Sequence, residues 1–527
     1  MGIYLNPSND NFKKVLASEI YVDKTMMIRE MNSFIERANN YICLSKARRF
    51  GKTVAGNMLV AYYSKGCDSK AIFDRLAVSN DSSYHKHLNK YNVIQIDLNS
   101  EYQNSTDKEN LIWEISQKIK GEIVEEFKSK VNTIVSEDSL ANTILKVYAT
   151  TKETFIILID EYDVLIREEV SESLFEEYLS FLNGLFKSNT LRPAITLAYM
   201  TGILPIVRDK VQSKLNNFDE YTFLDADVLA DYVGFTSEEV KNLCNKYNMD
   251  YDECKRWYDG YIQRGMEIYS PESVVKSMVR HKFDGYWGKT SSYQVIVDRI
   301  KNNYLDTKDD IIKMLSGEKI YVDAGMFLNT LKDFHSKDDV FTYLIHLGYL
   351  AYDSDEQVCW IPNKEVQREW ARAISVVEDY ATTDEIIKAS RELLNDTLNM
   401  DEDRVARALD IAHIHVTSNR SYNNEDALQS AIYLAYIYAL NKYTIVREAT
   451  AGKGFADVVF IPFADNMPAL IIELKRNDSA ESGIDQIKEK KYFMSLEHYN
   501  GNLLFVGINY DEKNKTHTCR IEKFQKD

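Results

Sequence analysis

Apolar residues follow one another without alternation from Phe155 through Ile156, Ile157, Leu158 and Ile159, and the run stops at Asp160-Glu161. Such a run predicts a strand covered on both faces, as in a parallel α/β sheet. Three further strand candidates flank it: Tyr41 to Leu44, Val93 to Leu98 and Ala194 to Met200. A helix-like stretch from Val54 to Tyr63 follows the first of these. The middle of the chain turns helical. Phe235-Thr236-Ser237-Glu238-Glu239-Val240 predicts a capped helix start with Thr236 or Ser237 as N-cap. Tyr269-Ser270-Pro271 predicts another, with proline early in the helix. A short strand-turn-strand is expected around Leu350 to Ile361. Near the end, an apolar helix from Ala427 to Leu440 precedes strands at Tyr443 to Arg447, Val458 to Pro462 and Ala469 to Lys475. The patterning divides the chain into an α/β domain over residues 1–230, a helical region over 231–395 and a second α/β domain over 396–527.

A length of 527 residues requires more than one core. The net charge of −17 excludes a uniformly basic nucleic-acid binder and leaves room for a local basic cleft. Six scattered cysteines form neither a CxxC pair nor a zinc pattern, so a reducing cytoplasmic location is expected. The polar opening MGIYLNPSND is not expected to be a signal peptide, and no apolar run reaches membrane-spanning length.

Between the first strand and the first helix stands Ser45-Lys46-Ala47-Arg48-Arg49-Phe50-Gly51-Lys52-Thr53. Strand, loop, Gly-Lys-Thr and helix is the order of a phosphate-binding P-loop: backbone N–H groups cradle phosphates, Lys52 neutralises charge and the Thr53 hydroxyl binds Mg²⁺. Lys46 stands where the first glycine of that motif is usual. At the end of the buried strand, Asp160 is placed to hold Mg²⁺ and Glu161 to orient an attacking water. Thr201, after the last strand of this region, can sense a γ-phosphate, and Asp163 is expected to be a helix N-cap.

RRFGKT, IDEYD, TGILPI with the following KLNNF, and the earlier YVDKT together resemble the AAA-ATPase-like family, whose members often carry a C-terminal nuclease-like domain. The resemblance implies a RecA/AAA-like ATP site with a loop that commonly lacks the first glycine, followed by a helical lid. ATP binding would then involve Arg49, Gly51, Lys52, Thr53 and Thr201. Spacing leaves open which of Arg48 and Arg49 touches phosphate. The aromatic turn Trp257-Tyr258-Asp259-Gly260-Tyr261 reads first as core packing and second as a docking surface.

The second chemistry lies in the last hundred residues. Residues two apart on a strand share a face, so Glu473 and Lys475 are expected to project together. Asp457, sixteen positions before Glu473, supplies a second strand acid. A divalent cation resolves the repulsion of two such acids. Glu425 from the preceding helix can complete its shell, and Gln486 on the following helix can steady a water or a phosphate. Helix, strand with Asp, strand with Glu-x-Lys, and helix with Gln is the layout of the PD-(D/E)XK nucleases, and GKGFADVVFIP with PALIIELK resembles the domain fused to these ATPases. The expected protein therefore uses ATP and Mg²⁺. It cleaves nucleic-acid phosphodiesters, DNA ahead of RNA, along a strip of Lys475, Arg476, Lys488, Lys490 and Lys491. A homo-oligomer is allowed and no membrane contact is expected. The competing expectation is an ATP-driven switch or scaffold whose nuclease fold binds without cutting.

Overall fold

The computed structural model describes residues 2–35, 37–206, 215–287, 307–315, 317–327, 334, 336–376, 381–416, 428, 432–433, 435–451, 454–462, 467–493, 499 and 501–524. The chain forms two compact units: Met1–Trp287 with Tyr321–Asn363, and Gly288–Ile320 with Lys364–Asp527.

The first unit is built on a five-stranded sheet. Its strands are β1 (Tyr41–Ser45), β2 (Asn92–Asp97), β3 (Phe155–Asp160), β4 (Ile195–Gly202) and β5 (Asp219–Tyr221), and helix α1 (Lys52–Tyr63) follows β1 after a short loop. The order is β2-β3-β4-β1-β5, and every neighbouring pair is parallel. Phe155, Ile157 and Ile159 join one core with Ile94, Ile96, Ala198 and Met200 under the helices Leu111–Phe127, Leu140–Thr151 and Glu172–Phe186. Ile156 and Leu158, on the opposite face, are buried as well. This is the two-sided burial that the unbroken apolar run requires, and it brings the C-terminal ends of β1, β3 and β4 together at one edge.

The expected helix starts are present. Thr236 caps Ser237–Tyr247 through a capping box with Glu239, and Pro271 opens Pro271–Arg280. Ala351–Asp353 pairs antiparallel with Val358–Trp360. Trp257, Tyr258, Tyr261 and Tyr286 are all buried, so the aromatic turn is core and presents no docking surface. Asp163 occupies the position before helix Val164–Arg167 but makes no side-chain cap bond. The loop after β4 lies closer, and its N–H groups take the carboxylate instead.

The second unit carries a mixed five-stranded sheet of β6 (Tyr443–Ala451), β7 (Gly454–Pro462), β8 (Ala469–Arg476), β9 (Leu503–Asp511) and β10 (Thr516–Phe524), ordered as numbered, with helix α2 (Ala480–Lys490) between β8 and β9. Only β8 and β9 run parallel. The second strand begins at Gly454, four residues before the expected Val458, which places Asp457 inside it. Alternation then sorts the sheet. Val458, Ile472 and Leu474 face one core, whereas Val459 and Ile471 face a second core under Ile484 and Ile487 of α2. Asp457 and Glu473 share the α2 side by the same period of two. That helix packs closely because β9 offers Gly507 beneath it, where a Cβ would lie 2.0 Å from the Ala480 carbonyl oxygen. The apolar helix expected over Ala427 to Leu440 is described in part: Leu428, Ile432, Tyr433 and Ala435 are helical and buried, and a 3-10 turn, Ile437–Asn441, follows. Glu425 lies outside the described residues. Among the described residues no helix is long and apolar enough to cross a membrane.

Candidate functional sites

The loop after β1 curls around its own lysine. The Lys52 ammonium donates to the carbonyls of Lys46 at 2.9 Å and Ala47 at 3.1 Å. Burial pulls the Lys52 pKa down, opposed by Glu161, Asp160 and Asp163 nearby. Gly51 is the N-cap of α1, and Thr53 is exposed one residue past Lys52. Lys46, at the place of the missing glycine, is fully buried and donates to the Gln263 side chain. Its ammonium lies 5.8 Å from the centroid of the Phe223 ring, and burial drives its pKa well below the usual lysine value. Phe50 packs edge-on against Phe223 and Tyr261, with centroids 5.3 and 5.4 Å away.

The two arginines of the loop diverge. Arg49, with a backbone φ of +71°, directs its Nε to Glu272 at 3.3 Å and its Nη1 to the carbonyls of Tyr286 and Trp287. Arg48 is exposed. Both line a cavity of about 880 Å³ together with Gly51, Lys52 and Thr53.

Across that cavity stand Asp160 and Glu161. Asp160 Oδ1 accepts from the Thr201 hydroxyl and from the Glu161 N–H at 3.0 Å. Thr201 is buried on β4, in register with Leu44 of β1, and its hydroxyl is engaged by Asp160. Glu161 takes a φ of +54°, and burial raises its pKa. Arg167, a residue the motifs did not single out, pairs with Glu161 and, at 3.0 Å through Nε, with Asp163. The lining also includes the apolar side chains of Val15, Ile20, Val22, Phe235 and Val275. A cavity that holds both a charged loop cradle and apolar side chains suits a ligand that carries phosphate and a flat ring.

In the second unit the structure brings Asp457, Glu473, Lys475 and Gln486 together. The Lys475 ammonium lies 3.2 Å from Glu473 Oε1. The Gln486 amide spans the pair, donating to Glu473 Oε1 and accepting from Lys475. Asp457 Oδ2 accepts the Leu474 N–H at 2.7 Å, just beyond the Val458–Ile472 ladder pair. Glu473 is 2% exposed, and among the described residues its Oε2 has no hydrogen-bond partner. Burial, and after it Asp457, pushes its pKa up to about 7. A buried carboxylate oxygen left without a donor beside a second acid fits an oxygen-seeking divalent cation. Among the described residues no group of three His, Cys, Asp or Glu side chains gathers to complete such a site. Tyr492 was not found from sequence; its hydroxyl accepts from Gln486 at 3.1 Å, and a lone tyrosine just past a helix end carries no pattern to mark it. Of the expected basic strip, Arg476 pairs with Glu512 at 2.9 Å and Lys488 with Glu522 at 2.5 Å, while Lys490 and Lys491 are exposed.

A family model described as a predicted AAA-ATPase matches residues 8–212, and one described as the PD-(D/E)XK nuclease superfamily matches residues 423–519. An uncharacterised protein from the vnfD 5′ region of Azotobacter chroococcum mcd 1 is 24% identical over 289 residues, which cover 53% of this chain and 52% of that protein. The chain thus spans about half the length of the curated relative it matches. Among solved structures, the Walker-type ATPase of Pyrococcus abyssi aligns over 66% of this chain and 94% of its own, at 14% identity and a TM-score of 0.34. The Aeropyrum pernix ORC2 protein, in ADPNP–ADP complexes, aligns over 69% and 96%, at 10% identity and a TM-score of 0.27.

Proposed function

We propose, from the premise that this chain joins a domain of the predicted AAA-ATPase family to a domain of the PD-(D/E)XK nuclease superfamily, that it binds and hydrolyses ATP and cleaves nucleic-acid phosphodiesters. The observation that carries the nuclease reading is Glu473: a buried acid with one orphaned oxygen, between Asp457 and the Lys475–Gln486 pair. Asp457 and Glu473 would hold Mg²⁺. Bound there, the cation acidifies water and draws off phosphate charge. Lys475 places a cation where charge develops on the scissile phosphate, and Gln486 fixes the Lys475 and Glu473 side chains against each other. Lys490 and Lys491 offer charge to the substrate backbone, with Arg476 and Lys488 available once phosphates compete with Glu512 and Glu522. DNA is the first substrate to test.

In the ATPase domain, Lys52 and the loop N–H groups hold the β- and γ-phosphates. Thr53 and Asp160 would hold the nucleotide's Mg²⁺, Glu161 orients water, and Thr201 keeps Asp160 in place. The apolar side chains of the lining take the base. The unbridged cysteines suit a reducing cytoplasm.

The test is a cleavage assay on linear and circular DNA and single-stranded RNA with Mg²⁺ or Mn²⁺, with and without ATP. Asp457→Ala and Lys475→Ala should each abolish cutting. Cutting that survives both, or none on any substrate while ATP still binds, refutes the nuclease reading; the second result favours an ATP-driven switch.

A further inference from the structure

We propose that Arg167 senses the γ-phosphate: it ties Glu161 down while the cavity is free of nucleotide, and the γ-phosphate of ATP draws it away and frees Glu161 to orient the attacking water. The inference rests on the reading of the cavity as an ATP site.

Arg167 ends the short helix that follows β3, and its side chain is 9% exposed. Its guanidinium is held at Nε and at Nη2. Nε is fixed to Asp163, whose Oδ2 is itself fixed by the N–H groups of Ile203 at 3.0 Å and Leu204 at 2.8 Å. Nη2 reaches Glu161 Oε2. Arg167, Glu161, Lys52 and Thr53 all line the one cavity. The guanidinium is one rigid plane, so a phosphate that takes its terminal nitrogens turns the whole group, through the stem torsions, out of its contact with Glu161. A guanidinium offers five donors in a planar fork that matches phosphate oxygens bidentately.

While the pair is made, Glu161 Oε2 is turned onto a cation, which holds the carboxylate in place and weakens it as an acceptor for water. ADP has no γ-phosphate to compete for Arg167. ATP does, and a ligand shifts such an equilibrium only by this kind of differential contact. In the hydrolysis that follows, the water oxygen bonds to the γ-phosphorus and the bond to the β,γ-bridging oxygen breaks. ADP leaves with that electron pair, and the water proton ends on the released phosphate.

The experiment compares the full-length protein with Arg167→Ala, Arg167→Lys and Lys52→Ala. Calorimetry with Mg²⁺ measures ADP and the non-hydrolysable analogue AMP-PNP; steady-state assays measure ATP turnover. For Arg167→Ala, ADP affinity should stay within about twofold while AMP-PNP affinity falls about tenfold or more, the scale of a lost charged hydrogen bond. Turnover should fall about a hundredfold or more, as when an arginine at a transferring phosphate is removed. Arg167→Lys, which keeps a cation for Asp163, should recover part of the AMP-PNP affinity and guards against misfolding of the alanine variant. Equal losses for ADP and AMP-PNP in both variants, or unchanged turnover, overturn the proposal while Lys52-dependent binding leaves the ATP site standing. Wild-type protein that binds neither nucleotide removes the ATP site and this proposal together.

Discussion

Replacing Asp163 by alanine should destabilise the first unit more than any change confined to the cavity wall. The side chain is fully buried, and a single oxygen accepts from the N–H groups of Ile203 and Leu204 and from Arg167 Nε. Alanine leaves two backbone donors and a mostly buried guanidinium without that acceptor. An unsatisfied buried donor costs about 1–3 kcal/mol. Breaking a buried ion pair from one side costs about 3–5 kcal/mol. The contributions share one oxygen, and Arg167 keeps Glu161, so they do not add in full; a loss of about 4 kcal/mol is expected. Asparagine keeps an oxygen for the two N–H groups and gives up only the charge, so Asp163→Asn should cost about half as much. Urea unfolding of the full chain measures the loss, and hydrogen exchange over residues 199–206 localises it to the β4 end. A loss below about 1 kcal/mol for alanine, or equal losses for the two variants, would refute the reasoning.

Four further outcomes follow. Glu473 must lose its proton to bind a cation, so Mn²⁺ affinity measured calorimetrically should fall as pH drops through about 7. The same raised pKa means the cation-free fold binds more protons than the unfolded chain between about 4.5 and about 7. Stability should therefore fall by about 3 kcal/mol as pH rises across that window, and Glu473→Gln should flatten the slope. Gln486→Ala removes the amide that spans Glu473 and Lys475, and cleavage should drop about 10–100-fold with substrate affinity little changed. Gly260→Ala combines a φ of +105° with a Cβ only 2.0 Å from the Pro362 carbonyl oxygen, so thermal unfolding should reveal a loss of about 3 kcal/mol or more.

The strands that build both sites were legible because burial on two faces writes itself as an unbroken apolar run, as at Phe155–Asp160 and Ala469–Arg476. The Glu473–Lys475 proximity followed from the period of two alone. What escaped the reading depends on tertiary approach. Nothing in Asp163's neighbourhood announces that Ile203 and Leu204, forty residues on, will take its oxygen. Arg49 looked equivalent to Arg48 until Glu272 and two carbonyls drew it sideways. The apolar pattern places the start of β7 at Val458 because Gly454-Phe455-Ala456 lacks a run of large apolar residues, yet that segment pairs antiparallel with Ala449–Ala451.

The loop around Lys52 is gripped by groups far along the chain: Gln263 on Lys46, Glu272 on Arg49, and the rings of Phe223 and Tyr261 on Phe50. Free energy delivered to this loop is therefore spread over the segment from Phe223 to Trp287. A ligand at a hundred times its Kd adds about 2.7 kcal/mol to the folded state. Here that increment would be felt as slower opening of helix Pro271–Arg280 and of the strand holding Gln263. Occupancy is thus broadcast outward through a lysine where most P-loops keep a glycine, and the segment beyond it becomes a reporter of whether the loop is filled.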